Sequence, residues 1–332
     1  MMSNERSMRW HPDRREFLTI GTGLFVALSL PVALRRRITL VKRTFPVMGT
    51  VAELQVAHAD VRVAESAIDA AIAELQWVER TMTRYTATSD VGRANRGAWR
   101  EAVTVTPETA LVVSRALDWA SASDGRFDPA VGEVSELWDV LNRNEPPRTD
   151  RVASLASRGF WRKLDVSTFR GVPAIRFNDP DMHLDLGAIA KGFGIDRATE
   201  ALRARGIAHA IVTVGGDLYA LGGSPEGAPW KVGIRDPHDL RALAATLDVA
   251  DRAVATSGDY ERFFRWHGVR YHHLMDPATA APRRTPVHSL TVLGDRAIDA
   301  DGASTSGFGL SRDVATRLAR RLIPGAEAIP LT

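Results

Sequence analysis

The 332-residue chain has no cysteine. That excludes disulfides, thiolate zinc sites, a thiol nucleophile and a lipid-modified N-terminal cysteine. Net charge is also scarce, with 43 Lys+Arg against 40 Asp+Glu giving +3. Nine of the basic and three of the acidic residues lie in the first 43 positions, so the other 289 residues carry −3. The calculated pI of about 9.5 therefore belongs to the leader. A mildly acidic body is a poor footprint for a binder of phosphate backbones. No Walker loop, G-x-S-x-G elbow or H-E-x-x-H occurs, and Gly21-x-Gly23 lies in the leader, where it says nothing of nucleotides. Apolar residues at 45% and charged residues at 25% are ordinary globular values, which exclude global disorder, collagen and coiled coil. The length suits two domains or one large one.

The leader has its own pattern. Arg14-Arg15-Glu16-Phe17-Leu18 opens a run of seventeen uncharged residues, 18–34, closed by Arg35-Arg36-Arg37. A basic n-region before an apolar h-region is a signal-peptide pattern. Paired arginines followed by x-Phe-Leu resemble a twin-arginine export signal. Seventeen residues is at the short limit for a transmembrane helix, the competing reading. No clean A-x-A cleavage site is present, which leaves retention as an anchor open. The expectation is a twin-arginine-type signal or anchor over residues 1–37 and one large unit over 40–325. Location is then periplasmic or otherwise extracytoplasmic, with membrane anchoring if the leader is kept.

Residues 44–56 read as one strand with Met48-Gly49-Thr50 inside it. Ala64, Ile68, Ala71, Ile72, Leu75, Val78 and Met82 recur at helical spacing over 61–82. Thr106 then Pro107 reads as an N-cap with proline at the first helical position. Residues 142–149 read as a surface loop, and 188–205 as a helix closed by Gly206. Strands are predicted at 210–214, 218–221, 230–235, 243–249, 253–256, 269–275 and 289–293, with helices around 301–310 and 314–322. Strands and helices mix without strict βαβ alternation, so the class is α+β, mixed sheets flanked by helices.

Four constellations carry candidate chemistry. Leu184-Asp185-Leu186-Gly187 leads into a helix start with Lys191 in its first turn, an anion site by its free N–H groups or merely a capped helix. Gly215-Gly216-Asp217 follows a β-run, where glycines permit close backbone approach to a ligand or build a tight hairpin. Asp301 and Thr305 share one helix face, a carboxylate plus hydroxyl suited to Mg²⁺, or Asp301 serves the helix dipole. His272-His273 beside Asp276-Pro277 offers a general base, a metal ligand or an ordinary edge strand. Gly125-Arg126-Phe127-Asp128 and Thr256-Ser257-Gly258-Asp259-Tyr260 each mix an aromatic, a polar group and a glycine, as a planar-ligand pocket does, and as turns do.

In this order and spacing the segments resemble the ApbE family, the FAD:protein FMN transferases. The resemblance runs from Met48-Gly49-Thr50 through Phe127-Asp128-Pro129, Asp185-Leu186-Gly187 with Ala190-Lys191-Gly192, Gly215-Gly216-Asp217, Thr256 to Tyr260 and His273-Leu274-Met275-Asp276-Pro277, to Asp301 with Thr305. It implies an ApbE-like, T-fold-related architecture. It also implies Mg²⁺-dependent transfer of FMN from FAD to a Thr or Ser of an exported or membrane flavoprotein, with release of AMP. By that resemblance Asp301, Thr305 and the Ala188 carbonyl hold Mg²⁺. Met48, Tyr85, Arg126, Phe127, Asp128, Asp185, Lys191, Gly215, Gly216 and Met275 bind FAD, and His273 activates the acceptor hydroxyl with Asp301 as the other catalytic residue. An FAD pyrophosphatase and a non-catalytic exported FAD binder are the alternatives. The chain departs from the family at Ala280, where Thr-Gly-x-Pro is usual, and at Ser304, where some members have an acidic ligand.

Overall fold

The computed structural model describes residues 38–332; the 1–37 leader expected from the sequence lies outside them. The core is a seven-stranded sheet of β1 (Thr39–Val47), β2 (Thr50–His58), β3 (His209–Val214), β4 (Asp217–Leu221), β5 (Arg252–Gly258), β6 (Ser289–Gly294) and β7 (Glu327–Leu331). Their order in space is their order in the chain, and every neighbouring pair is antiparallel. Four helices matter most: α1 (Val61–Met82), α2 (Pro107–Ala122), α3 (Ala190–Arg203) and α4 (Ala297–Gly307). The α+β class expected from the sequence is the class observed.

Helix α1 forms where the apolar spacing predicts it, and Asp60 caps it by accepting from the Arg62 N–H at 2.8 Å. Its Ile68, Ala71 and Leu75 are fully buried with Leu54, Val56 and Val212 of the sheet and Ile195 and Leu202 of α3. Each large apolar side chain in that seam contributes about 1.5–3 kcal/mol. A second core gathers Trp119 of α2 with Phe127, Phe160, Phe177 and Phe308.

The strand predicted over 44–56 is two strands. Val47 pairs with Thr50, and Met48 and Gly49 (φ +54° and +66°) make the two-residue turn between them. A Met in the left-handed region gives no local warning of a turn. The same geometry recurs between β3 and β4, where Val214 pairs with Asp217 around Gly215 and Gly216 (φ +57° and +93°). The glycine pair is thus a tight hairpin, and a Cβ on Gly215 would stand 2.9 Å from Thr50 Oγ1. The Gly215 N–H donates to the Val51 carbonyl at 3.0 Å, so the two turns sit side by side.

Helix α4 starts four residues before the predicted 301. Apart from Ile298 and Thr305 it is built of Ala, Gly, Ser and Asp, is buried nearly all round and has no side-chain cap of its own. Its first N–H groups, Ala297 and Ile298, donate instead to Asp196 of α3 at 2.7 and 3.1 Å. The two helices cross so closely that a Cβ on Gly192 would lie 2.2 Å from the Ala297 carbonyl oxygen. Among the described residues no helix is long and apolar enough to cross a membrane.

Candidate active site

The antiparallel order brings the Met48–Gly49 turn, the Gly215–Gly216 turn, Asp217 and the Gly258 end of β5 to one end of the sheet, because Gly258 pairs with Ser289 while Arg252 lies at the far end. Helices α3 and α4 meet there. Lys191 Nζ donates to Asp217 Oδ2 at 2.6 Å and to Asp301 Oδ1 at 2.9 Å. Both carboxylates have side chains 2% exposed. The second oxygens are also held: the Thr256 N–H donates to Asp217 Oδ1 at 2.9 Å and the Gly192 N–H to Asp301 Oδ2 at 3.0 Å.

Burial alone lowers the Lys191 pKa, but its two carboxylates outweigh that and raise it above the ordinary lysine value. The ammonium is therefore permanently charged. Burial, assisted by the Asp301 charge, pushes Asp217 up to about 6 against the pull of Lys191. Glu261, in the same neighbourhood, is pushed up to about 7 by burial and by Asp217. Lys191 bonds Asp217 and Asp301, while Glu261 feels the charges of Lys191, Arg262 and Arg235.

The oxygens that the resemblance assigns to Mg²⁺ fit a hard cation. Asp301 and Thr305 stand one turn apart on α4. Thr305 Oγ1 lies 3.2 Å from Ser257 Oγ, which also meets Ser304 Oγ at 2.8 Å. The Gly192 N–H, one of the first N–H groups of α3 and so without a partner inside the helix, goes to Asp301. A carboxylate, a hydroxyl and the backbone carbonyl of Ala188, just ahead of α3, are oxygens of the type that Mg²⁺ takes.

His273 is joined to this end of the sheet through Arg262. Its N–H donates to the Arg262 carbonyl at 3.1 Å, and Arg262 Nη2 donates to the Gly49 carbonyl at 2.8 Å. The hairpin that delivers it, Phe263–Trp266 with Val269–His272, is anchored by Tyr271 stacked on Trp138 at 5.4 Å. Burial lowers the His273 pKa to about 3, with Arg262 and His272 adding to the effect. The neutral ring faces the Arg262 carbonyl with Nδ1 at 3.4 Å. A proton on Nδ1 leaves Nε2 as a base. The neighbouring His272 has a structural role: its Nε2 donates to the Arg283 carbonyl at 2.8 Å and its Nδ1 accepts from the Leu274 N–H at 3.2 Å.

The remaining expected residues are spread around this end of the sheet and beyond it. Met48 lies against α3, its N–H donating to Glu79 Oε1 at 2.7 Å. Arg126 reaches the C-terminal end of α4, where Nη2 donates to the Phe308 carbonyl at 2.9 Å. Phe127 is in the core, and Asp128 Oδ1 and Oδ2 fix their loop by accepting from the Ala130 and Trp161 N–H groups at 2.9 and 3.1 Å. Burial pushes Asp128 up to about 6. Met275 pairs with Pro282, beyond a break at His273 and Leu274 that divides the strand predicted over 269–275.

Tyr85 and Asp185 form a separate wall. Arg84 Nε sits 3.4 Å from Asp185 Oδ2, and Arg84 Nη2 donates to the Tyr85 hydroxyl at 3.2 Å. Tyr85 is 79% exposed. A cavity of about 290 Å³ opens there among Arg84, Tyr85, Asn95, Arg96 and His183. Asp185 also accepts from the Gly187 N–H at 2.9 Å, which shapes the approach to α3. Nearby Glu133, Glu136 and His183 bring their ligand-type atoms within 4.8 Å of one another. Arg151 pairs with Glu133 at 2.6 Å and Arg84 with Glu136 at 3.0 Å, so both carboxylates are already neutralised.

Sequence reasoning missed the partners. Asp217 as the second anchor of Lys191, Glu261 beside it, and Ser257 against Thr305 are long-range relations. Only the Gly-Gly-Asp and Thr-Ser-Gly-Asp-Tyr segments hinted at them, and Glu261 lies just past the second. Ala280 occupies a left-handed position (φ +51°) that glycine adopts freely, held by Trp138 Nε1–H on its carbonyl at 2.7 Å.

An antiparallel sheet with a lysine–carboxylate cluster and a threonine hydroxyl at one end makes this an α+β protein with a buried polar site, and comparison with known proteins narrows its class. The sequence pattern of the ApbE family matches residues 48–330, and the chain belongs to that family. The FAD:protein FMN transferase of Treponema pallidum is 33% identical over 309 residues, covering 89% of this chain and 85% of that one. That of Vibrio cholerae is 31% identical over 265 residues, covering 78% of each. Among solved structures, the ApbE protein of Thermotoga maritima superposes with a TM-score of 0.77 at 28% identity, over 88% of this chain and 94% of that one. The flavin transferase ApbE of Vibrio cholerae gives 0.75 at 27%, over 88% and 93%.

Proposed function

We propose that this chain is an FAD:protein FMN transferase that moves FMN from FAD to a Thr or Ser hydroxyl of an exported or membrane flavoprotein, with Mg²⁺, and releases AMP. The observation that carries the reading is the Lys191, Asp217 and Asp301 cluster beside Thr305, in a chain related over most of its length to named flavin transferases. In the step, the acceptor oxygen attacks the FMN-side phosphorus. The bond from that phosphorus to the bridging oxygen breaks, and AMP leaves with that oxygen. The hydroxyl proton passes to Nε2 of neutral His273.

Asp301, Thr305 and the Ala188 carbonyl would hold Mg²⁺, which supplies charge neutralisation at the diphosphate. Lys191 holds the Asp301 carboxylate in place and adds a fixed positive charge. Met48, Arg126 and Met275 on one side, and Tyr85 and Asp185 on the other, would line the FAD site. The leader adds export by the twin-arginine route to an extracytoplasmic location, with membrane attachment where it is retained.

The test is intact-mass analysis of candidate acceptor proteins incubated with FAD, Mg²⁺ and this protein. A gain of one phosphoester-linked FMN, with stoichiometric AMP, supports transfer. FMN and AMP released to water without an adduct would make it a pyrophosphatase, and no AMP at all would make it a binder. Replacing Arg14 and Arg15 by Lys should block export; unchanged export would refute that route.

A further inference from the structure

Arg283 is absent from the residues that the resemblance assigns. Its side chain is buried, and among the described residues no carboxylate lies within ion-pair distance of it, although the Asp276 charge acts on it. Its guanidinium is spent on main-chain carbonyls of three segments. Nη1 donates to Phe308 at 2.9 Å and to Thr305 at 3.3 Å, at the C-terminal end of α4. Nη2 donates to Arg126 at 2.8 Å, with a longer contact to Met275 at 3.5 Å. The two short bonds carry most of the interaction. Nε is buried with no hydrogen-bond partner among the described residues.

The backbone of Arg283 is fixed as well. Its N–H donates to the Leu274 carbonyl at 2.9 Å, and its own carbonyl accepts from His272 Nε2 at 2.8 Å. Those residues flank His273. Arg126 adds a second guanidinium on Phe308 at 2.9 Å and Ser306 at 3.3 Å. One buried and one half-buried cation therefore face the end of a helix whose dipole offers only about half a negative charge, with the Asp276 charge acting on both. Burial and the Arg126 charge lower the Arg283 pKa to about 10, which still leaves it protonated at neutral pH. A buried charge without a carboxylate in close contact is costly. A role confined to filling space would be met more cheaply by an apolar side chain of similar size.

We propose that Arg283 is a positioning residue for the donor site: its fork sets the separation between the Thr305 end of α4 and the Arg126 and Met275 walls, with His273 held on the same backbone. The proposal rests on the functional reading above. A lysine keeps the charge but lacks the planar fork that spans these carbonyls.

The test uses the full chain as wild type, R283K and R283M, at a temperature where unfolding curves show each one folded. FAD affinity is read from quenching of flavin fluorescence without divalent ion, and kcat/KM for AMP release is read with Mg²⁺. The expected result is a loss of about tenfold or more in both readouts for both variants, the scale of lost bonds to a charged donor. Wild-type FAD affinity and kcat/KM in R283K would overturn the proposal, whether R283M is impaired or not. If R283M does not fold, R283K alone decides. A wild-type protein that binds FAD but releases no AMP overturns the transferase reading, while the affinity readout still judges Arg283.

Discussion

Replacing Gly192 by alanine tests the close crossing of α3 and α4 on which the site depends. A Cβ there would stand 2.2 Å from the Ala297 oxygen, 2.5 Å from its carbonyl carbon and 2.7 Å from the Ile298 Cα. All three are backbone atoms of the first turn of α4, so no side chain can swing aside. The helices must part by about 1 Å before the contact becomes tolerable. Overpacking of this kind costs about 1–3 kcal/mol. The same movement stretches the 3.0 Å bond from the Gly192 N–H to Asp301 and the Asp196 cap on α4, bonds to charged acceptors worth roughly 1.5–3 kcal/mol apiece. Alanine returns about 1 kcal/mol of helix propensity. The net is a destabilisation of about 2–4 kcal/mol, or a fall of several degrees in unfolding midpoint. The assay is thermal and denaturant unfolding of Gly192→Ala beside wild type, followed by AMP release from FAD. An unchanged or raised midpoint would refute the crossing, since propensity alone favours alanine.

Lys191→Met strips the shared ammonium from two buried carboxylates and should cost about 3–5 kcal/mol at neutral pH. The deficit should shrink below pH 6, where Asp217 takes up a proton; an equal deficit at pH 5 and 8 would contradict this assignment. Glu261→Gln should change how stability depends on pH. In wild type the Glu261 pKa rises on folding from 4.5 to about 7, so the folded state holds the proton more tightly. Stability from that group is full below pH 4.5 and is lost as pH rises through 7. The variant should therefore match wild type at pH 4.5 and gain stability, by at most about 3 kcal/mol, at pH 8 in metal-free, FAD-free protein. Equal curves at both pH values would rule this out. His273→Asn should leave FAD affinity near wild type and lower transfer by about 10²–10⁴-fold, and equal transfer rates would remove His273 from the chemistry.

Local pattern revealed what local physics controls. The apolar spacing gave α1 its observed bounds, and Thr106-Pro107 marked the start of α2, where Thr106 Oγ1 accepts from the Thr109 N–H at 3.2 Å. The start of α4 was illegible because its cap is Asp196, a hundred residues away in the chain, and because small residues on every face give it no apolar period. The hairpin of Leu164–Phe169 and Val172–Phe177 escaped notice: its outer residues are exposed and Pro173 interrupts it. Strand β7, Glu327–Leu331, is short and has Pro330 near its end. The candidate site was legible only as separate motifs. Lys191, Asp217 and Asp301 were each inside a recognisable segment, but nothing local says that one ammonium joins them across the end of the sheet.

The central claim is that this cluster cleaves FAD and passes FMN to a protein. Wild type and Asp301→Asn, which keeps the shape and removes the charge, are incubated with FAD, Mg²⁺ and an acceptor protein, and the acceptor is weighed intact while AMP is measured. The account predicts one added FMN per acceptor with matching AMP for wild type, and neither for Asp301→Asn. Equal adduct and AMP from both proteins, or none from wild type with any acceptor, would contradict it.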